Sequence, residues 1–191
     1  MVDVRDAVID ELTHRGRNLL LTEVLRSIER QHPSDGPGVT RETIAAYGDR
    51  LAAEPSFAFD TKDLLETIDE ARIDAETWVG DDVLYQVGDG NEDRLSAYPR
   101  GWHDRLGGET DVREYIEYLE SDESGFADDS PRGGRGSGID QPTLLEVVSV
   151  LGNVEREVVR AQIEDRRAEG QLEQPADQHP NARVQLDRSS T

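Results

Sequence analysis

Residues 142–172 constrain this chain more than any other stretch. Leu144, Val147, Leu151, Val154, Val158 and Ala161 recur at alternating three- and four-residue steps, the spacing of a seam along one side of a helix. Arg156, Arg160 and Arg167 share a second side, because four and eleven residues overshoot whole turns by only about 40° and 20°. Two architectures accommodate this pattern. One is a continuous amphipathic helix that dimerises as a short zipper, with Leu144, Leu151 and Val158 at one heptad position and Val147 and Val154 at the other. Asp165 then puts a charge in the seam, and Gly152 sits inside the helix, where glycine costs about 1 kcal/mol relative to alanine.

The other architecture is a helix-turn-helix followed by a wing. Thr143 caps a first helix over 144–151, Gly152 and Asn153 make the turn, and Asn153 caps a second helix. Glu155 and Glu157 lie near the positive end of that second helix, and Gly170 stops it just after Arg166 and Arg167. Gln171-Leu172-Glu173 and residues 182–186 alternate like two strands of a hairpin, joined by a loop with Pro175 and Pro180. Local chemistry agrees with the broken helix at more places. A helical hairpin with no DNA role is the third possibility.

Charge is the next constraint. The chain has 42 acidic against 21 basic residues, net −21, and Lys62 is its sole lysine. Dense carboxylates with scarce lysine resemble proteins of extreme halophiles, whose acidic surfaces stay hydrated in concentrated salt. In molar salt the Debye length falls to about 3 Å, so acidity does not exclude DNA binding, although counterion release contributes less. There is no cysteine, hence no disulfide, thiolate metal site or thiol nucleophile. No run of 18 apolar residues exists and no signal-peptide core opens the chain, so a soluble cytoplasmic protein without membrane attachment is expected.

Along the chain, helices are expected over 3–12, 22–31, 40–53 (capped by Thr40), 61–73 (capped by Asp60 or Thr61) and 111–120. Strands are expected at 78–79, 83–87 and 94–98, with 88–93 as a hairpin tip. Helices followed by a hairpin repeat the order seen near the C-terminus, so the N-terminal region reads as a second, degenerate copy. Residues 122–139 are glycine-rich without apolar period and read as a linker. The expected organisation is therefore α+β and mainly helical: an N-terminal domain over 1–121, a linker over 122–139, a C-terminal helix-turn-helix with wing (or short zipper) over 140–186, and a tail over 187–191.

Arg156, Arg160 and Arg167 are the candidate DNA-reading residues, with Arg132 and Arg135 on the linker as a backbone or minor-groove arm. Leu144, Val147, Leu151, Val154 and Val158 are the candidate dimer seam. The same helix carries Glu155, Glu157, Glu164, Asp165 and Glu169, so a solvated face of ion pairs competes with the DNA-reading interpretation. His14, His32, His103 and His179 lack metal-site spacing and read as surface histidines. Trp102-His103-Asp104 lacks an accompanying nucleophile, and neither a phosphate loop nor a dinucleotide fingerprint is present, so no enzyme, metal or cofactor is expected.

The acidic composition, the chain length and the Leu/Val spacing over 144–168 resemble the gas-vesicle transcription activators of halophilic archaea, the GvpE family. That resemblance implies a zipper-like helix preceded by a basic segment, which here falls on Arg132 and Arg135. It further implies a homodimeric activator at gas-vesicle promoters, opposed by a repressor protein partner. The expected function is a sequence-specific DNA-binding transcription regulator. The alternative is a protein-interaction adaptor that never binds DNA.

Overall fold

A computed structural model describes residues 2–15, 19–55, 57, 60–88, 93–126, 138–174 and 182–187. Among these the protein is α+β and mainly helical, with eight α-helices and small sheets. The chain forms two compact units, one of Met1–Glu76 with Gly80–His103, the other of Thr77–Val79 with the described residues from Asp104 onward.

The first unit opens with α1 (Asp6–Arg15) and α2 (Leu21–Gln31). Glu23 turns back to accept the Leu20 N–H at 2.8 Å, half of a capping box, since leucine has no side-chain acceptor to complete it. After β1 (Val39–Thr40), α3 (Arg41–Ala52) begins where Thr40 Oγ1 accepts the Thr43 N–H at 3.2 Å. Asp60 caps α4 (Thr61–Ala71) by accepting the Lys62 N–H at 2.7 Å. Then come β2 (Arg72–Ile73), β3 (Leu84–Gln86) and β4 (Arg94–Ser96), in the sheet order β1-β4-β3-β2. β4 pairs antiparallel with both β1 and β3, placing Val39 opposite Leu95 and Tyr85 opposite Ser96. Leu12, Ile28, Ile44, Leu51 and Ile68 of the helices form one core with Leu95 of β4, all essentially inaccessible to water. The division between units falls inside α5 (Arg100–Leu106), after His103.

The second unit contains α6 (Val112–Glu120), a 3-10 turn at Asp122–Ser124, β5 (Ile139–Asp140), α7 (Gln141–Leu151), α8 (Arg156–Ala168), β6 (Leu172–Glu173) and β7 (Arg183–Leu186). Its sheet runs β5-β7-β6, antiparallel throughout. The two units thus share one chain path: helix, short strand, two helices, then a strand pair whose second member occupies the middle of the sheet. In the first unit that path is α2, β1, α3, α4, β3, β4, with β2 added parallel at the edge of β3.

Several sequence expectations are corrected. Helix α6 belongs with the C-terminal elements and not with residues 1–103, because Val112, Tyr115, Ile116 and Leu119 pack against α7, α8 and β7. The boundary expected after residue 121 therefore lies after 103. The fourth helix stops at Ala71, and Arg72 and Ile73 turn extended to pair with Leu84 and Tyr85. Trp78 and Val79 form no strand; Trp78 is buried against Phe126, ring centroids 5.6 Å apart. Asp140, not Thr143, caps α7, its carboxylate accepting both the Thr143 N–H at 3.0 Å and the Thr143 hydroxyl at 2.7 Å. Residues 89–92, 127–137 and 175–181, which include most of both loops and most of the expected linker, lie outside the described residues.

Candidate functional site

The stretch over 142–172 is broken, not continuous. Gly152 closes α7 by donating its N–H to Val148 O at 2.9 Å, and Asn153 follows in the left-handed conformation at φ 51°. Asparagine tolerates that region better than most side-chain-bearing residues. Gly152 is required for a different reason. A Cβ there would lie 2.4 Å from Glu109 O, 2.8 Å from Val148 O and 2.9 Å from the Tyr115 hydroxyl. That hydroxyl is itself placed between Glu109 O at 2.8 Å and Leu106 O at 3.1 Å, which share its single hydrogen. The turn residue Asn153 does not cap α8; Glu155 occupies that position, without a side-chain cap bond.

Val159 and Ile163 face the unit's core and fix the rotation of α8. Its C-terminus ends in a Schellman motif: Gln171 N–H donates to Arg166 O at 2.8 Å, Gly170 N–H to Arg167 O at 3.0 Å, and Gly170 adopts φ 70°. Arg166 points toward α6, 3.9 Å from Asp111, whose carboxylate is held below its ordinary range chiefly by a hydrogen-bonded pairing with Arg113. These contacts make Arg166 an anchor of the helix.

The three arginines expected to read DNA meet different fates. Arg156 forms an ion pair with Glu146 of α7, a tie between the two helices. Arg160 is exposed and held by the Glu157 carboxylate one turn back, 2.8 Å from each oxygen. Arg167 lines an open groove of about 590 Å³ between the end of α8 and β6, with Glu164, Ala168, Leu172, Glu173 and Gln174. Arg132 and Arg135 lie outside the described residues. Of the expected dimer seam, Leu144 and Val147 are fully buried and Leu151 nearly so, consumed by the core of their own unit. Val154 is half-buried, and Val158, 49% exposed, is the member that faces solvent. With the helix broken at Leu151, the five residues do not line one stripe.

The counterpart of α8 in the first unit is α4. Its outward residues include Lys62 against Asp63, Glu66, Asp69 and Glu70, all exposed. Lys62 pairs with Glu66 at 3.2 Å, while Arg41 of α3 reaches Asp69 at 2.8 Å. The two equivalent helices therefore present opposite chemistries, arginines interspersed with carboxylates on α8 and a carboxylate surface on α4.

One constellation is absent from the sequence expectations. His103 is not at the surface: its side chain is 8% exposed, and Nε2 lies 2.9 Å from Ser96 Oγ and 3.5 Å from Glu29 Oε1. Ser96 Oγ also lies 2.8 and 2.9 Å from the two Glu29 oxygens and accepts the Tyr98 N–H at 3.0 Å. Burial pushes Glu29 up to about 7 and His103 down to about 4. Despite its three residue types, this is no nucleophilic triad. The acid and the hydroxyl meet the same ring nitrogen, whereas a triad needs the acid on Nδ1 to orient the base. Ser96 is also fully buried, out of a substrate's reach. The remaining described histidines follow the surface expectation in part. His14 is exposed, and His32 is partly buried edge-on to Tyr47 at 5.6 Å, while His179 lies outside the described residues.

Among the described residues, no helix is long and apolar enough to cross a membrane. Comparison with protein-family models, with curated proteins and with solved structures finds no match to this chain.

Proposed function

We propose that this chain is a sequence-specific DNA-binding transcription regulator built on two winged-helix-like units, with the C-terminal unit as the reading module. What supports the reading is the chain path of that unit: helix, strand, helix, tight turn, helix and strand pair, with the sheet ordered β5-β7-β6. On this reading α8 is the helix offered to a major groove. Its outer surface carries Arg160, the arginine best placed to exchange an intrahelical carboxylate for a base edge. Within this reading the protein acts as a homodimer, Arg132 and Arg135 track the backbone, and gas-vesicle promoters, with an opposing repressor protein, are the specific target suggested by the sequence resemblance.

The experiment is selection of duplexes from fragmented haloarchaeal DNA in molar KCl, followed by anisotropy titration of those enriched. Arg160→Ala is expected to cost about 1–3 kcal/mol and to relax preference at one position. Arg156→Ala, by contrast, should destabilise the unit by unpairing Glu146 and so serves as the structural control. Failure of the parent protein to enrich any duplex over bulk DNA would sink the DNA-binding reading.

A second reading is favoured by one observation, the carboxylate surface of α4. On this reading the first unit is a protein-interaction adaptor, and the molecule pairs a DNA-facing module with one that repels phosphate. If α8 also proves silent toward DNA, the adaptor reading extends to the whole chain.

A further inference from the structure

The first unit holds a buried polar cluster that the proposed function does not use. We propose that Glu29 of α2, Ser96 of β4 and His103 of α5 form a reversible hydrogen-bond relay, a clasp whose direction is set by one proton and which makes the first unit pH-responsive. The number of hydrogens available sets the alternatives. Ser96 Oγ contacts the Glu29 carboxyl at 2.8 and 2.9 Å and His103 Nε2 at 2.9 Å, and it already accepts the Tyr98 N–H at 3.0 Å. A hydroxyl has one hydrogen to donate. If it goes to Glu29, the ring must carry hydrogen on Nε2 and donate to Ser96. If it goes to His103, Nε2 must be bare and Glu29 must be the protonated donor. Each direction satisfies all three groups, and they differ by one proton on Glu29 and by the tautomer of a neutral imidazole.

The balance is simple. Converting the ionised form to the neutral one takes one proton from solvent at His103 Nδ1, passes the Nε2 hydrogen to Ser96, and passes the Ser96 hydrogen to Glu29. No bond other than N–H and O–H is made or broken. Several groups face the relay. On α2, Arg26 favours the carboxylate, and it is itself paired with Asp81 at 3.1 Å and set over the Tyr98 ring at 5.5 Å. The backbone N–H groups of Gly38, before β1, and of Ala97, after β4, donate to Glu29. From α5 the facing group is His103. Burial opposes all of these and lifts Glu29 to about 7, which places the reversal in the neutral range. The same burial holds His103 at about 4, so the ring stays uncharged while it reverses.

The test is nitrogen NMR of the full chain, labelled with 15N-histidine, in molar KCl across about pH 5 to 9. A neutral His103 is expected throughout, with the Nδ1–H tautomer at low pH giving way to Nε2–H at high pH, its midpoint near 7. Glu29→Gln should lock one tautomer at every pH, and Ser96→Ala should uncouple the ring from Glu29. An imidazolium appearing with the ordinary midpoint near 6.5, or a tautomer that stays constant in the parent protein, would overturn the proposal. Because the parent titration alone decides between these outcomes, a variant that fails to fold does not shelter it.

Discussion

Glu29 and His103 pull the stability of the first unit in opposite directions as pH changes. Glu29 is raised from 4.5 to about 7, so its contribution is full below 4.5 and is lost as pH rises through 7. His103 is lowered from 6.5 to about 4, so its contribution is full above 6.5 and is lost as pH falls through 4. Between about 4.5 and 6.5 the folded state holds Glu29's proton while the unfolded state holds that of His103, and the two slopes cancel. Glu29→Gln should therefore remove the fall in stability between about pH 6.5 and 7 and extend the rise, confined in the parent protein to about pH 4 to 4.5, up to about 6.5. The readout is the denaturation midpoint followed by Trp102 fluorescence in a Trp78→Phe background, since Trp102 stacks on Tyr98 beside the cluster at 5.6 Å. Superimposable profiles for parent and variant would refute the assignment. The sequence does not join these groups: Glu29 is one of 42 acidic residues, and His103, though beside Asp104, has no nucleophile next to it in the chain.

The joint between α7 and α8 shows how an element boundary can be legible while its mechanism is not. Gly152-Asn153 marked the break, but glycine was expected there for the turn it permits. In the structure its backbone is ordinary right-handed, and what matters is the space filled by Glu109 O and the Tyr115 hydroxyl. Two consequences follow for a zipper. A continuous helix would gain from Gly152→Ala, whereas here the added Cβ drives into backbone carbonyl oxygen, so about 1–3 kcal/mol of destabilisation is expected. Unfolding by guanidinium in molar KCl measures it, and a stabilised or unchanged Gly152→Ala protein would contradict the described packing. The helix ends differ in how far local sequence determines them. Thr40, Asp60 and Gly170 act as expected, whereas the caps of α7 and α8 sit at Asp140 and Glu155. Several candidate capping residues lie close together, and β5 delivers the chain to Asp140 at the start of α7, whereas Asn153 is taken up by the left-handed turn before α8.

Across the whole chain, a net charge of −21 acts on both units at once. Mutual repulsion of carboxylates opposes compaction when the Debye length is about 10 Å, as in 0.1 M salt, and much less when it is about 3 Å, as in 1 M salt. The melting temperature should therefore climb steeply between 0.1 and 1 M KCl, which a thermal scan by circular dichroism would register; a flat or falling trend would remove the halophilic interpretation of the composition. Helical content, most helix positions and the two hairpin strand pairs followed from the residues, because apolar periodicity, caps and turn residues act within a few positions of themselves. The break within residues 142–172 follows from the same local chemistry. Which apolar faces meet was another matter. The stripe of Val112, Tyr115, Ile116 and Leu119 on α6 could have packed to either side, and only the competition among cores assigned it to α7, α8 and β7. The two-residue strands β1, β2 and β5, too short to carry a period, exist because a partner strand captures them. The meeting of Glu29, Ser96 and His103 arises the same way: Glu29 lies 67 residues from Ser96, and no spacing rule links a strand residue to one 7 positions on in the next helix.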